Sequence, residues 1–204
     1  MMDETPIVYI VDDDPDVGPA IVTALGPLNL TVKTYLSGQS FLDDFDGKAL
    51  GVVLLDMRMP TMSGLDVQDA LRDSGYAQPI IFTTAFEDVE SAVQAMRHGA
   101  MDYLLKPIDD DELRARVTTA IEEARTTVKE SLEAAEARRR FERLTPRETE
   151  VLALMVEGKA NKVMSVDLGV SQRTVEIHRA RVMEKMEARS LADLFRLSLY
   201  LELS

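Results

Sequence analysis

The 204-residue chain contains no cysteine. That excludes a disulfide framework, a thiolate metal site and a thiol nucleophile, so any metal held here takes oxygen or imidazole ligands. No apolar run approaches the ~20 residues that span a bilayer. A basic, apolar leader ending in small residues is missing from the N-terminus as well. The expectation is a soluble cytoplasmic protein without a membrane partner. Basic residues are scarce at first: residues 1–122 hold 22 acidic and 8 basic side chains, 123–144 hold 5 and 6, and 145–204 hold 9 and 9. The net charge of −13 is therefore N-terminal. It does not oppose nucleic-acid contact by the C-terminal part, where residues 158–189 carry 7 basic against 4 acidic side chains. With 46% hydrophobic residues the chain is long enough for two small domains, each with its own core.

Glycine and proline are both absent from Asp109 to Arg143, which reads as one long helix. It is either the closing helix of a first domain followed by a polar linker, or a continuous signalling helix. Steps of four and three through Val117, Ile121, Ala124 and Val128 give an alanine-containing heptad seam that a second copy could share. The expected division is 1–122, a helical linker over 123–143 with a possible coiled coil, and 144–204.

Before the long helix, apolar runs at Ile7 to Val11, Thr31 to Tyr35, Gly51 to Leu55, Pro79 to Thr83 and Met101 to Leu105 alternate with helical patterns around 16 to 28, 37 to 45, 64 to 73 and 88 to 98. Five βα units imply a parallel sheet with helices on both faces. Pro19 and Gly26-Pro27 fit the first helix poorly. After the long helix, Thr145-Pro146-Arg147-Glu148 is a capping box that opens a helix, stopped by Gly158. A short helix from Asn161 to Leu168 ends at Gly169. Ser171 caps the next, which runs to about Met186 with Val175, Val182 and Met186 on one face. Ser190 caps a last helix carrying Leu191, Leu194, Phe195 and Leu197. Two helices joined by a tight glycine turn make a helix-turn-helix.

Chemistry gathers where strands end, because sites in such sheets form outside the carboxyl ends. Asp12, Asp13 and Asp14 follow the first strand and Asp56 the third. Together they require a cation, and few ligands, all oxygen, suit Mg²⁺. The plainer alternative is that Asp13 and Asp14 cap a helix and Asp56 merely ends a strand. Thr83-Thr84 and Lys106-Pro107 bring a hydroxyl and an ammonium to the same rim. A nucleophilic carboxylate, a cation and fixed donors are what phosphoryl transfer onto a side chain needs. Asp56 is the best acceptor, with Asp12 and Asp13 suited to hold metal.

Val11-Asp12-Asp13-Asp14-Pro15, Asp56-Met57-Arg58-Met59-Pro60-Thr61-Met62-Ser63-Gly64 and Lys106-Pro107 make residues 5–125 resemble a receiver domain. The resemblance implies a flavodoxin-like, doubly wound fold and Asp56 as phosphoacceptor. It implies Asp13, Asp56 and the Arg58 carbonyl as Mg²⁺ ligands, Asp12 acting nearby or through water, and Lys106 pairing with the phosphoryl group. Thr84 matches the switch hydroxyl and Tyr103 the aromatic that turns inward after it, with Lys106-Pro107 in the cis form; Thr83 points into packing. His98 and the Phe86-Glu87 loop depart from the pattern.

In a helix-turn-helix the second helix enters the major groove. On it, Glu176 could accept from cytosine, Ile177 touch a thymine methyl or pack near the turn, and Arg173, Arg179, Arg181 and Lys185 take phosphates or guanine. Leu144 to Glu148, Gly158, Asn161-Lys162, Leu168 to Ser171 and Thr174 to Arg179 resemble a LuxR-type domain, of the kind in the FixJ subgroup of NarL/FixJ regulators. This resemblance extends the expected DNA-facing set to Lys162, Ser171, Gln172, Thr174 and His178. It implies a sensor histidine kinase, double-stranded DNA, RNA polymerase and a second copy of the chain as partners. It also implies no enzymatic role beyond slow autodephosphorylation. Two alternatives stay open: a Mg²⁺-dependent phosphohydrolase built on Asp12-x-Asp14, and a scaffold that is never phosphorylated.

Overall fold

A computed structural model describes residues 5–47, 49–76, 78–85 and 89–201, and the side chains of all of these except 89–92. The polypeptide divides into two compact units, 1–128 and 129–204. The first holds β1 (Ile7–Val11), α1 (Val17–Leu25), β2 (Thr31–Tyr35), α2 (Gly38–Asp44), β3 (Gly51–Asp56), α3 (Gly64–Asp73), β4 (Ile80–Ala85), α4 (Val89–Arg97) and β5 (Asp102–Lys106). The helix α5 (Asp110–Phe141) contains the point of division. The second unit continues with α6 (Pro146–Val156), α7 (Asn161–Asp167), α8 (Gln172–Lys185) and α9 (Leu191–Leu199).

All pairings in the sheet are parallel and the strand order is β2-β1-β3-β4-β5. Alternation of side chains across the pleat builds two cores. Val8, Ile10, Val52 and Leu54 meet Ile21 and Leu25 of α1 and Leu113, Val117 and Ile121 of α5 on one face. Tyr9, Val11, Val53 and Leu55 meet Phe41, Val67, Leu71 and Ala95 of α2, α3 and α4 on the other. β3 is buried along its whole length, as a central parallel strand must be. The fold is the doubly wound α/β receiver that its motifs imply, followed by an all-α unit.

Three details differ from expectation. The first helix ends at Leu25, and Gly26-Pro27-Leu28 form a separate 3-10 turn. Pro19 is tolerated as the third residue of α1, where its missing N–H has no intrahelical partner to lose. Strands β3, β4 and β5 run one or two residues further, so Asp56 and Lys106 close strands rather than follow them. The heptad seam is corrected more deeply. Val117 and Ile121 belong to the receiver core and Ala124 is buried, so those positions are not free for a second copy. The same four-three spacing serves packing within the unit. Of the α5 apolar residues, Val128 and Leu132 are exposed, Leu132 by 66%.

The end of α5 is part of the second unit's core: Ala137 is fully buried among Val151, Leu152, Met164, Val175, Val182 and Leu194. Tyr200 donates to Glu133 at 2.8 Å. Residues 133–141 thus pack as domain rather than as linker. Among the described residues no helix is long and apolar enough to cross a membrane.

Candidate functional site

At the carboxyl edge of the sheet Asp12, Asp13, Asp14, Asp56, Met57, Arg58, Thr84, Ala85 and Lys106 line one cleft of about 210 Å³. The carboxylates expected from β1 and β3 therefore do converge. Lys106 Nζ donates to Asp12 Oδ2 at 2.7 Å and to Asp56 Oδ1. The backbone N–H of Arg58 donates to Asp56 Oδ2 at 2.7 Å, and that of Asp14 to Asp12 Oδ1 at 3.1 Å. Asp12 and Asp56 are buried, whereas Asp13 is exposed. Burial pushes the Asp56 carboxyl above the usual carboxylate range, with Asp12 adding to it and Lys106 opposing. At Lys106 burial acts to lower the ammonium's pKa, but hydrogen bonds to Asp12 and Asp56 outweigh it and the net shift is upward.

Thr84 is buried at the rim and its hydroxyl donates to the Ala85 carbonyl at 3.2 Å. Thr83 is buried beside it, in register with Asp56, as a packing residue. Tyr103 is 43% exposed, turned outward, and the Lys106-Pro107 bond is cis. Phe86-Glu87 lies outside the described residues. His98, exposed at the end of α4, has Nδ1 3.4 Å from Asp69 Oδ1 on α3.

Two neighbours of Asp56 carry structural demands that spacing does not reveal. A Cβ at Gly64 would fall on the Asp56 carbonyl oxygen and against the Phe82 ring, so only glycine lets α3 start this close to β3. Ser63 and Asp66 then cap α3 reciprocally. Thr61 sits at φ 73° inside a three-residue turn closed by Met62 N–H to the Pro60 carbonyl at 2.8 Å, a strained conformation for a β-branched residue.

The oxygen-only donor set fits a hard divalent cation. Asp13 makes no hydrogen bond or ion pair among the described residues, and each carboxylate oxygen of Asp12 and Asp56 keeps a lone pair beyond the one bond it accepts. Among the described residues no group of three or more acidic or histidine side chains stands in metal-holding geometry. At this cleft the Lys106 ammonium is the cation that bridges Asp12 and Asp56.

In the second unit α7 and α8 are joined through Gly169 at φ 65°, and Ser171 caps α8 by accepting from Thr174 N–H at 3.1 Å. Val175 and Val182 are buried while Ile177 is 47% exposed, so α8 turns one stripe to the core and leaves Ile177 outside. Lys162, Ser171, Gln172, Arg173, Glu176 and Arg181 are also exposed. Arg173, Ile177 and Arg181 share a face at four-residue spacing. Thr174, His178 and Arg179 are half-buried. Arg179 Nη1 lies 4.0 Å from Met164 Sδ, and His178 Nδ1 is buried without a partner among the described residues. Lys185 has a different place from the phosphate contact expected of it. Its ammonium donates to the buried Glu148 at 2.6 Å, tying α8 to the capping box of α6. Sequence reasoning assigned Glu148 to the cap but missed this pair.

A receiver cleft followed by a helix-turn-helix finds direct counterparts among known proteins. The family model for the response regulator receiver domain matches residues 8–118, and that for bacterial regulatory proteins of the luxR family matches 142–198. The chain is a two-component response regulator of the NarL/FixJ family. The transcriptional regulatory protein FixJ of Bradyrhizobium diazoefficiens is 35% identical over 192 residues, 94% of each chain. The tetrathionate response regulatory protein TtrR of Salmonella typhimurium is 40% identical, over 93% of this chain and 90% of the relative. The solved structure of the response regulator StyR shares 33% identity with a TM-score of 0.81, covering 96% of this chain and 98% of that one. With a receiver and a LuxR-type DNA-binding domain, the protein is a transcriptional regulator of a two-component system.

Proposed function

We propose that this response regulator is phosphorylated on Asp56 by a cognate sensor histidine kinase and that the phosphorylated form binds DNA as a dimer. The observation that carries the reading is the bonding of one lysine to two buried carboxylates: Lys106 joins Asp12 to Asp56 in a cleft that also holds Thr84. An oxygen of Asp56 attacks the phosphorus of the kinase's phosphohistidine, the P–N bond breaks with its electron pair leaving on the imidazole, and an acyl phosphate forms. Asp13, Asp56 and the Arg58 carbonyl would hold Mg²⁺, with Asp12 acting nearby or through water, and the ion when bound would neutralise charge on the phosphoryl oxygens. Lys106 supplies a fixed ammonium to the new phosphoryl group. Thr84 Oγ then leaves the Ala85 carbonyl for a phosphoryl oxygen, and Tyr103 turns into the space released. Hydrolysis of the acyl phosphate is slow and resets the site.

Lys162, Ser171, Gln172, Arg173, Thr174, Glu176, Ile177, His178, Arg179 and Arg181 form the DNA-facing set, with Ile177 placed for a thymine methyl and Arg173 and Arg181 for phosphate or guanine. RNA polymerase is the further partner at the promoter, in the cytoplasm. Exposed Leu191, Phe195 and Leu199 on α9, and Val128 with Leu132 on α5, offer apolar surface to a second copy. The test is incubation with acetyl phosphate and Mg²⁺ followed by intact-protein mass measurement. The wild type gains one acid-labile phosphoryl group and Asp56→Asn gains none; equal labelling of both moves the acceptor elsewhere.

A further inference from the structure

The end of α8, the helix expected to enter the major groove, departs from the way four other helices end. Four helices, α3, α4, α6 and α7, close with the same pair of backbone hydrogen bonds, as in Gly75 N–H to Arg72 and Tyr76 N–H to Leu71. Each has glycine at the left-handed position: Gly75, Gly99, Gly158 and Gly169, with φ between 65° and 91°. Helix α8 closes with the same pair, Glu187 N–H to the Glu184 carbonyl and Ala188 N–H to that of Met183, both 3.0 Å. Its left-handed residue is Glu187, at φ 55°. A side chain there is disfavoured where glycine is not.

What the glutamate supplies is a bridge to the end of α5. Glu187 Oε2 is 3.1 Å from Arg140 Nη2 and Oε1 is 3.0 Å from Arg143 Nη1. Arg140 also donates to the Met186 carbonyl at 3.3 Å, at the cap of α8, and to Glu136 at 2.9 Å. The Glu187 side chain is half-exposed, and ion pairs of that kind contribute little to stability. Stability therefore does not account for glutamate in a glycine position. A strained residue whose side chain links two elements points instead to a constraint on how those elements move.

We propose that Glu187 is a positioning residue that ties the last turn of α5 to the recognition helix, so that DNA affinity responds to phosphorylation of Asp56. The inference rests on the function proposed above. Glu187 and its two arginines all lie within the second unit, and α5 is the one helix that the two units share. A change carried along α5 reaches Ala137 in the second core and, about one turn on, Arg140, and through Glu187 the end of a 14-residue helix whose first turns present Arg173 and Ile177. In the same last turn of α8, Lys185 is bonded to Glu148 of α6, a second tie at this end of the helix.

The test uses the full chain and a DNA selected from a random pool by the wild type in the presence of acetyl phosphate and Mg²⁺. The quantity read is the ratio of DNA affinities with and without phosphodonor. Glu187→Gly restores the residue that the other four helix ends use, so it melts no lower than wild type and takes up phosphate equally. Its affinity ratio falls to within about twofold of one, where couplings of ordinary size give about 5- to 150-fold. Arg140→Gln with Arg143→Gln, which leaves Glu187 in place, gives the same loss. A ratio matching the wild type in either variant overturns the coupling role while leaving the phosphorylation reading intact. A wild-type ratio of one overturns the phosphorylation reading, and the coupling with it.

Discussion

At Thr61 and Gly64 the loop after Asp56 is held by backbone geometry rather than by side-chain chemistry. Thr61 occupies a left-handed conformation within its tight turn, so Thr61→Gly should stabilise the receiver by about 0.5–1 kcal/mol, the steric relief partly offset by unfolded-state entropy. A chemical-denaturation midpoint unchanged or lowered by the substitution would show that the strain is absorbed elsewhere. Gly64→Ala has the opposite sign. Its methyl would collide with the Asp56 carbonyl and Phe82, so the midpoint should fall and the rate of labelling at Asp56 should fall with it. Glu148 is the residue whose role depends most on pH. Lys185 and the Thr145 N–H hold its carboxyl down to about 2 from an ordinary 4.5. A depressed folded value means that the stabilisation is complete above 4.5 and lost as pH falls from there towards about 2, an effect of up to about 3 kcal/mol. Hydrogen exchange at Val151 to Met155 followed across that range reads it. In Glu148→Gln that pH dependence should be largely absent, with lower protection at neutral pH.

Among the elements, α5 separates what a sequence pattern can say from what it cannot. Its existence followed from the lack of glycine and proline, and its length was legible to within two residues at each end. The partner of each face was not. Val117 and Ile121 at heptad spacing serve a seam between copies or a stripe against one's own sheet equally well, and only the sheet decides. Ala137 looks like a neutral helix former in sequence, yet it is a buried part of the second core. Ala137→Asp should therefore unfold the second unit or weaken it by about 3 kcal/mol or more, while Leu132→Ser leaves both units intact. Circular dichroism melting of the two variants distinguishes these outcomes, and equal behaviour would contradict the placement of Ala137. The carboxylate cleft was legible for a different reason. Its members sit at strand ends, where the order of elements alone fixes the edge at which they meet. Lys185 with Glu148 and Arg140 with Glu187 pair across helices whose relative rotation no local spacing encodes, so those ties were invisible before the fold.

Across the whole molecule, the distribution of charge assigns the work. The acidic receiver has one lysine inside its carboxylate cleft, while the C-terminal helices present Arg173 and Arg181 outward beside Ile177. Arg173→Ala should weaken DNA binding and lower the salt slope of the affinity by about one, with phosphate uptake untouched. An unchanged slope would remove Arg173 from the interface. The central claim is that Asp56 governs what α8 does. It is tested most directly by the DNA affinity of the full-length wild type and of Asp56→Asn, each measured with and without acetyl phosphate and Mg²⁺ at one salt concentration. Phosphodonor should tighten binding by the wild type alone; equal tightening in both proteins, or none in the wild type, would contradict control of α8 by Asp56.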